Sequence, residues 1–168
     1  MLTIYVIMLF NIGTKKIVVV ITMESFNFEE PFNNTDLNIY QCGSEICNSE
    51  HSYGPAVRDH FLFHYIVSGK GIFDDGNQVY NLKSGQGFLI FPDVVTYYEA
   101  DAENPWEYIW VGFHGLKAES YLKDAGLTKS NPIFNCQQNN TLIKNCIRKM
   151  IDLKKSFLIG DSERDILA

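Results

Sequence analysis

"FLFHYIVSGKGIFDDGNQVYNLKSGQGFLIF" spans residues 61–91, and its punctuation decides the fold. "FLFHYIVSG" is a continuous β-rich run ended by Gly69, and "GKGIF" carries it on past a glycine-marked bend. "DDGNQ" has an Asp-Gly pair at its centre, the signal of a hairpin. "VYNL" then reads as a strand, "KSGQG" as a turn, and "FLIF" as a strand stopped by Pro92. Downstream, "VVTYYEA" and "WEYIWVGF" are two further strands separated by the loop "DAENP". Upstream, residues 24–56 are polar and loop-like with one or two short strands, chiefly "LNIYQCG". About six short strands at roughly ten-residue spacing make the chain mainly β, a sandwich or small barrel.

After Gly115 the hydrophobic period changes from two to that of a helix. "LKAESYLKDAG" places apolar residues at 118, 121, 122 and 125, with Gly126 set to end the helix. "TLIKNCIRKMIDLKKSFL" places them at 142, 143, 146, 147, 150, 151, 157 and 158, a broad stripe opposite Lys and Arg, with Thr141 or Asn140 as N-cap. That stripe, with Ile143, Cys146, Ile147, Met150 and Ile151 at its centre, suits a seam between two subunits. It suits packing on the barrel of its own subunit equally, and a broad stripe can do both. Ser162 with Asp165 resembles the start of another helix, which Ala168 cuts after one turn, so the chain reads as a fragment of a longer protein. At the other end, "LTIYVIMLF" and "IVVVITM" each fall short of the ~20 residues of a membrane-spanning helix. Lys15 and Lys16 lie near the middle of the pair, and no cleavage site follows. Either run can be a strand. The expected organisation is an N-terminal extension over 1–22, a β-barrel over 23–115 and a helical segment over 116–168.

The chain of 168 residues carries a net charge of −6, so its surface repels phosphates and does not by itself suit nucleic acid. Its 4 cysteines are Cys42, Cys47, Cys136 and Cys146. Cys42 and Cys47 with His51 suggest a zinc knuckle, but Cys136 and Cys146 do not supply a matching second pair. Four reduced thiols in a cytoplasmic protein are expected. The histidines are His51, His60, His64 and His114. His60 and His64 share a strand face yet stand ~13 Å apart, too far to chelate one ion. No metal and no cofactor is therefore expected. No nucleophile–base pairing can be assembled, and "GKG" lacks the helix a phosphate loop needs, so no enzyme is expected.

The rings are concentrated late in the chain. In "WEYIWVGF" Trp106, Tyr108 and Trp110 share one face of a strand, and Glu107, Ile109, Val111 and Phe113 share the other. The second face is an ordinary core. The first carries polar handles that need partners when buried, which suits either a second core layer or the wall of a small-ligand cavity. A sugar fits such a wall, its C–H face on a ring and its hydroxyls on polar tips. Candidates for those tips are Arg58, whose fork of donors can bond two hydroxyls, His64 within its apolar run, and one of Tyr97 and Tyr98. Arg58 can instead be a surface residue paired with Asp59, and His64 a structural histidine.

From "RDHFLFHYIVSGKGIF" through "YNLKSGQGFLIFPDVVTYYEADAENPWEYIWVGFHG" the chain resembles the N-terminal ligand-binding domain of AraC-type transcriptional regulators. The likeness is to the bacterial sugar-responsive group that includes the raffinose and multiple-sugar-metabolism regulators, over about residues 40–160. It implies a cupin-like β-barrel or jelly roll followed by C-terminal helices through which two subunits pair. It also implies a sugar effector, and a DNA-binding part with helix-turn-helix units that would lie outside this chain. In an arabinose-binding member the pocket uses an arginine before the first long strand, a tyrosine after the "FP" strand and a His-x-Trp pair. These positions fall on Arg58 (or Tyr53 in its role), Tyr98, Tyr108 and Trp110. Tyr108 replaces the histidine, so the identity of the sugar does not carry over. Gln86 replaces the aspartate of the cupin turn, and Thr96 and Tyr97 stand where metal-binding cupins place a histidine. The implied function is sugar sensing for carbohydrate-utilisation genes by a cytoplasmic homodimer, with Arg58, Tyr98, Tyr108 and Trp110 at the ligand, to which the reading of the residues adds His64 and Trp106. The alternatives are a small cupin enzyme acting on a sugar and a stand-alone carbohydrate-binding module.

Overall fold

The structure, a computed structural model, describes residues 4–12, 15–23, 36–135 and 141–152. The two N-terminal apolar runs are strands, β1 (Ile4–Ile12) and β2 (Lys15–Met23), which pair antiparallel as a sheet of their own.

The rest is built on two antiparallel sheets. The first has the order β11-β8-β5-β10-β3, from β3 (Asn38–Ile46), β5 (Phe61–Ser68), β8 (Gln86–Ile90), β10 (Glu107–His114) and β11 (Ile133–Asn135). The second has the order β4-β9-β6-β7, from β4 (Ser52–Ala56), β6 (Lys70–Asp74), β7 (Val79–Lys83) and β9 (Thr96–Ala100). The Asp-Gly signal is a true hairpin. β6 and β7 pair from Lys70↔Lys83 to Asp74↔Val79, and the Asp75 carboxylate accepts from the amides of Asn77 and Gln78.

The layering explains why "FLFHYIV" is apolar without alternation. β5 is central in its sheet, and both faces of that sheet are covered. Leu62, Ile66, Phe88, Ile90, Trp106 and Tyr108 face Phe73, Leu82 and Tyr98 of the second sheet. Phe63, Tyr65, Leu89, Ile109 and Val111 face the other way, toward the helices. The first helix, α1 (Ala118–Asp124), buries Ala118 and Leu122 there, and Gly126 follows it at φ 77°, the left-handed position that glycine fills after a helix. After α1 the chain returns to the sheet as β11, a short strand that "NPIFN" does not announce. The second helix, α2, runs over residues 141–152. Its Ile143, Ile147, Met150 and Ile151 are buried on the outer face of the five-stranded sheet, and Cys146 is half-buried beside them. Within one chain these side chains already have partners. The part of the stripe at 157 and 158, the N-cap candidate Asn140 and the helix start at Ser162 lie outside the described residues.

Candidate functional site

The register of β10 brings the site together. Tyr108 stands opposite Glu45 of β3, and Trp110 stands between Gly43 of β3 and His64 of β5. Directly opposed residues of antiparallel strands share a face. Glu45, Gly43, His64, Tyr108 and Trp110 therefore all point toward the second sheet. From that sheet Tyr98 of β9 points back, flanked by Phe73 on β6 and Tyr53 on β4. Gly43 is required where it is. A Cβ there would lie 2.3 Å from Cζ2 of Trp110, so only glycine lets the indole lie across β3.

The rings interlock. His64 stacks on Phe88 at 4.6 Å between centroids and meets Tyr98 and Tyr108 at 5.0 Å each. Trp106 packs on Phe88 at 5.9 Å and edge-on to Tyr108 at 6.0 Å, which in turn meets Trp110 at 5.8 Å. Such pairs prefer stacked and T-shaped arrangements of this kind, each adding about 0.5–1.5 kcal/mol beyond burial. Accessibility rises along β10. Trp106 is 0 % exposed and forms the floor, Tyr108 is buried above it, and Trp110 is half-buried at the open end. The interior is thus a ring-filled layer, which matches the second core layer of the two readings of this face, and Trp110 is its accessible end.

The polar tips form a chain that runs from Arg58 past the rings to the start of β10. The Arg58 guanidinium lies 4.3 Å over the Tyr53 ring, and Tyr53 stacks on Tyr98 at 5.6 Å. Arg58 and Tyr108 both bear on the Tyr98 hydroxyl. The Tyr108 hydroxyl donates to Glu45 Oε2 at 3.1 Å, and Glu45 Oε1 lies 3.4 Å from His51 Nε2. Asp59, the surface partner that Arg58 could have taken, instead accepts from His60 at 2.6 Å. An open hollow of about 440 Å³ adjoins Arg58, bordered by Gln41, His60 and Asp93.

Burial sets the protonation states. It pushes the Tyr98 phenol up to about 12 and raises Tyr108 as well, so both are neutral hydroxyls able to donate and accept. Burial and then the Arg58 charge hold His64 down to about 3, so its imidazole is neutral. Burial and then the Glu45 carboxylate push the Cys47 thiol up to about 11. Two buried polar atoms, His64 Nδ1 and Trp106 Nε1, have no hydrogen-bond partner among the described residues. The indole N–H of Trp106 lies beside the Cys47 sulfur, a weak acceptor while it remains a thiol.

Of the six residues singled out for a ligand, His64, Tyr98, Trp106 and Tyr108 are buried in one ring-filled layer, Trp110 is half-buried beside Tyr108, and Arg58 is half-buried over Tyr53 and next to Tyr98. Sequence reasoning missed Glu45, which links Tyr108 to His51. Its signal was its place in β3, two residues from Gly43, but only the β3–β10 register makes that place meaningful. Cys42 and Cys47, read as a C-x4-C pair, fall into different cores on opposite faces of the sheet.

The architecture is two antiparallel sheets packed over a layer of rings, with helices on the outer face of the larger sheet. Residues 38–165 match the model of the AraC-like ligand binding domain, and the chain belongs to that family. It is 43 % identical over 101 residues, 60 % of this chain and 36 % of the relative, to the Msm operon regulatory protein of Streptococcus mutans. It is 36 % identical over 95 residues to the raffinose operon transcriptional regulatory protein RafR of Pediococcus pentosaceus, covering 55 % of this chain and 34 % of that one. The chain thus spans about a third of the length of these curated relatives, both of which are regulators. Among solved structures, YhaK from Escherichia coli is similar at a TM-score of 0.45 and 13 % identity, over 55 % of this chain and 44 % of that one, a level that carries no argument. Among the described residues no helix is long and apolar enough to cross a membrane.

Proposed function

We propose that this chain is the effector-sensing part of a cytoplasmic AraC-type transcriptional regulator, and that its effector is a saccharide. Two regulators of sugar operons among its relatives support that reading. The observation that carries it is the polar chain Arg58–Tyr98–Tyr108–Glu45 set beside the half-buried ring of Trp110. The indole takes the C–H face of a pyranose, the guanidinium donates to adjacent hydroxyls, and the carboxylate and neutral phenols accept from the remainder. His64 and Trp106 support the rings from behind and below. None of these groups has a nucleophile–base geometry, and no reaction is assigned to the site.

The sugar acts by differential affinity for two arrangements of barrel and helices. A coupling of ~1–3 kcal/mol suffices to change how a DNA-binding part elsewhere in the full protein is presented. DNA contact belongs to that part.

The test is thermal denaturation of the chain across a panel of mono- and oligosaccharides, raffinose included. A true effector at a hundred times its Kd stabilises the fold by about 2.7 kcal/mol. With Trp110→Ala that shift should vanish at the same sugar concentration. An equal shift in both proteins removes Trp110 from the site, and no shift with any saccharide removes the class of effector.

A further inference from the structure

Near the start of β10, on the Trp106 side of the site, Glu45 also lies in a cluster with Cys47 and His51, two residues that the saccharide reading leaves without a role. One carboxylate oxygen, the thiol sulfur and one imidazole nitrogen all lie within 4.8 Å of one another. Donors on a tetrahedral zinc, with bonds of ~2.0–2.3 Å, stand roughly 3.3–3.8 Å apart, so a movement of about 1 Å closes the set. Glu45 and His51 are half-buried and already 3.4 Å apart, whereas Cys47 is buried, so the movement falls to the two half-buried side chains, with Glu45 keeping its bond to Tyr108.

The backbone that carries the three is held in place. The Cys47 amide donates to the Trp106 carbonyl at 3.1 Å, Ser49 Oγ donates to the Ala102 carbonyl at 2.8 Å, and the His51 carbonyl accepts from Ala100 at 2.9 Å. Residues 47–51 are therefore a turn pinned against β9 and the start of β10, which fixes the spacing of thiol and imidazole.

A second observation points to the same place. Trp106 Nε1 is fully buried, lacks a hydrogen-bond partner among the described residues, and is directed at the Cys47 sulfur. A buried N–H left without an acceptor costs free energy. A thiolate held on a metal is a strong acceptor and would satisfy it, just as the Tyr108 hydroxyl already satisfies Glu45.

We propose that Glu45, Cys47 and His51 bind a divalent metal ion of the zinc class, with the Trp106 N–H and the Tyr108 O–H as hydrogen-bond donors to its ligands. A thiolate with an imidazole and a carboxylate favours zinc or cobalt over magnesium or calcium. On binding, the Cys47 proton leaves to solvent and a sulfur–metal bond forms. Three protein ligands leave one tetrahedral position to water. Cys42, on the opposite face of the sheet, takes no part.

The test is titration of the chelator-stripped chain with Co²⁺ and then Zn²⁺, followed by absorbance. Wild type should bind one cobalt with a thiolate-to-metal charge-transfer band, which one equivalent of zinc bleaches. Cys47→Ser should abolish the band, Cys42→Ser should leave it intact, and His51→Gln should weaken binding by roughly tenfold or more. No saturable one-to-one binding, or a band that persists in Cys47→Ser, overturns the proposal. Should Cys47→Ser fail to fold by near-UV circular dichroism, His51→Gln decides alone, and unchanged affinity there overturns the site. None of these outcomes depends on a saccharide, so the failure of either reading is distinguishable from that of the other.

Discussion

The five-stranded sheet buries both of its faces, and the two are made of different side chains. Toward the helices it presents Phe63, Tyr65, Leu89, Ile109 and Val111, met by Ile143, Ile147 and Met150. Toward the second sheet it presents Trp106, Tyr108, Trp110 and His64, met by Tyr98. Alternate residues of β10 therefore belong to two different tasks. The helix-side face is chiefly aliphatic and phenyl packing, and burial is its purpose. The inner face combines buried rings with hydroxyl, imidazole and indole groups, two of which lack partners among the described residues. A core selected only for stability has no reason to leave such atoms unsatisfied. The difference separates a packing face from the face to which the saccharide is proposed to bind, within a single strand.

The largest effect should come from breaking the scaffold face. Ile147 is 0 % exposed under α2, and Ile147→Ala should cost ~2–5 kcal/mol of unfolding free energy in urea. Its affinity for a saccharide effector, measured on the folded fraction, should stay unchanged. A large loss of affinity would mean that the two faces are coupled.

Next in size is a pH effect specific to the inner face. The folded-state pKa of His64 is depressed to about 3 from 6.5, so the unfolded chain binds a proton that the folded one refuses. Stability is complete above pH 6.5 and falls as the pH drops from there toward 3, by about 1.4 kcal/mol per unit once well below 6.5. Between pH 6.5 and 5 the loss should approach ~2 kcal/mol, and His64→Phe should remove that part of the slope. Urea midpoints of both proteins across this range make the measurement, and identical slopes would place His64 in a solvated setting.

The smallest stability effect sharpens the contrast. Tyr108→Phe removes one hydroxyl and its bond to Glu45, and should cost only about 0.5–1.5 kcal/mol. The same change should reduce saccharide affinity by about tenfold, the reverse of the Ile147→Ala pattern. Equal binding by wild type and Tyr108→Phe in calorimetry would confine the phenol to a structural role.

Much of this was legible in the chain itself. The Asp75-Gly76 pair announced the β6–β7 hairpin, and Gly69, Gly85 and Pro92 marked turns, because turn chemistry is local. The period of two in "WEYIWVGF" assigned Trp106, Tyr108 and Trp110 to one face, and the clusters bear that out. The stripe of α2 was equally plain, but its partner was not. Periodicity shows that a face is apolar without showing what covers it, and the structure covers it with the chain's own sheet. β11 escaped notice because three residues beside a proline carry too little pattern.

The sequence by itself thus determined the strands between Phe61 and His114, their turns and the side of β10 that carries the rings, since each follows from steric and hydrophobic preferences acting over a few residues. Only the tertiary structure decided that Glu45 meets Tyr108, that Arg58 lies over Tyr53, that Cys47 and His51 converge while Cys42 turns away, and that Trp106 is floor rather than wall. Those contacts join residues as much as 63 positions apart. They depend on the register of neighbouring strands and on how two sheets close over each other, which no local pattern encodes.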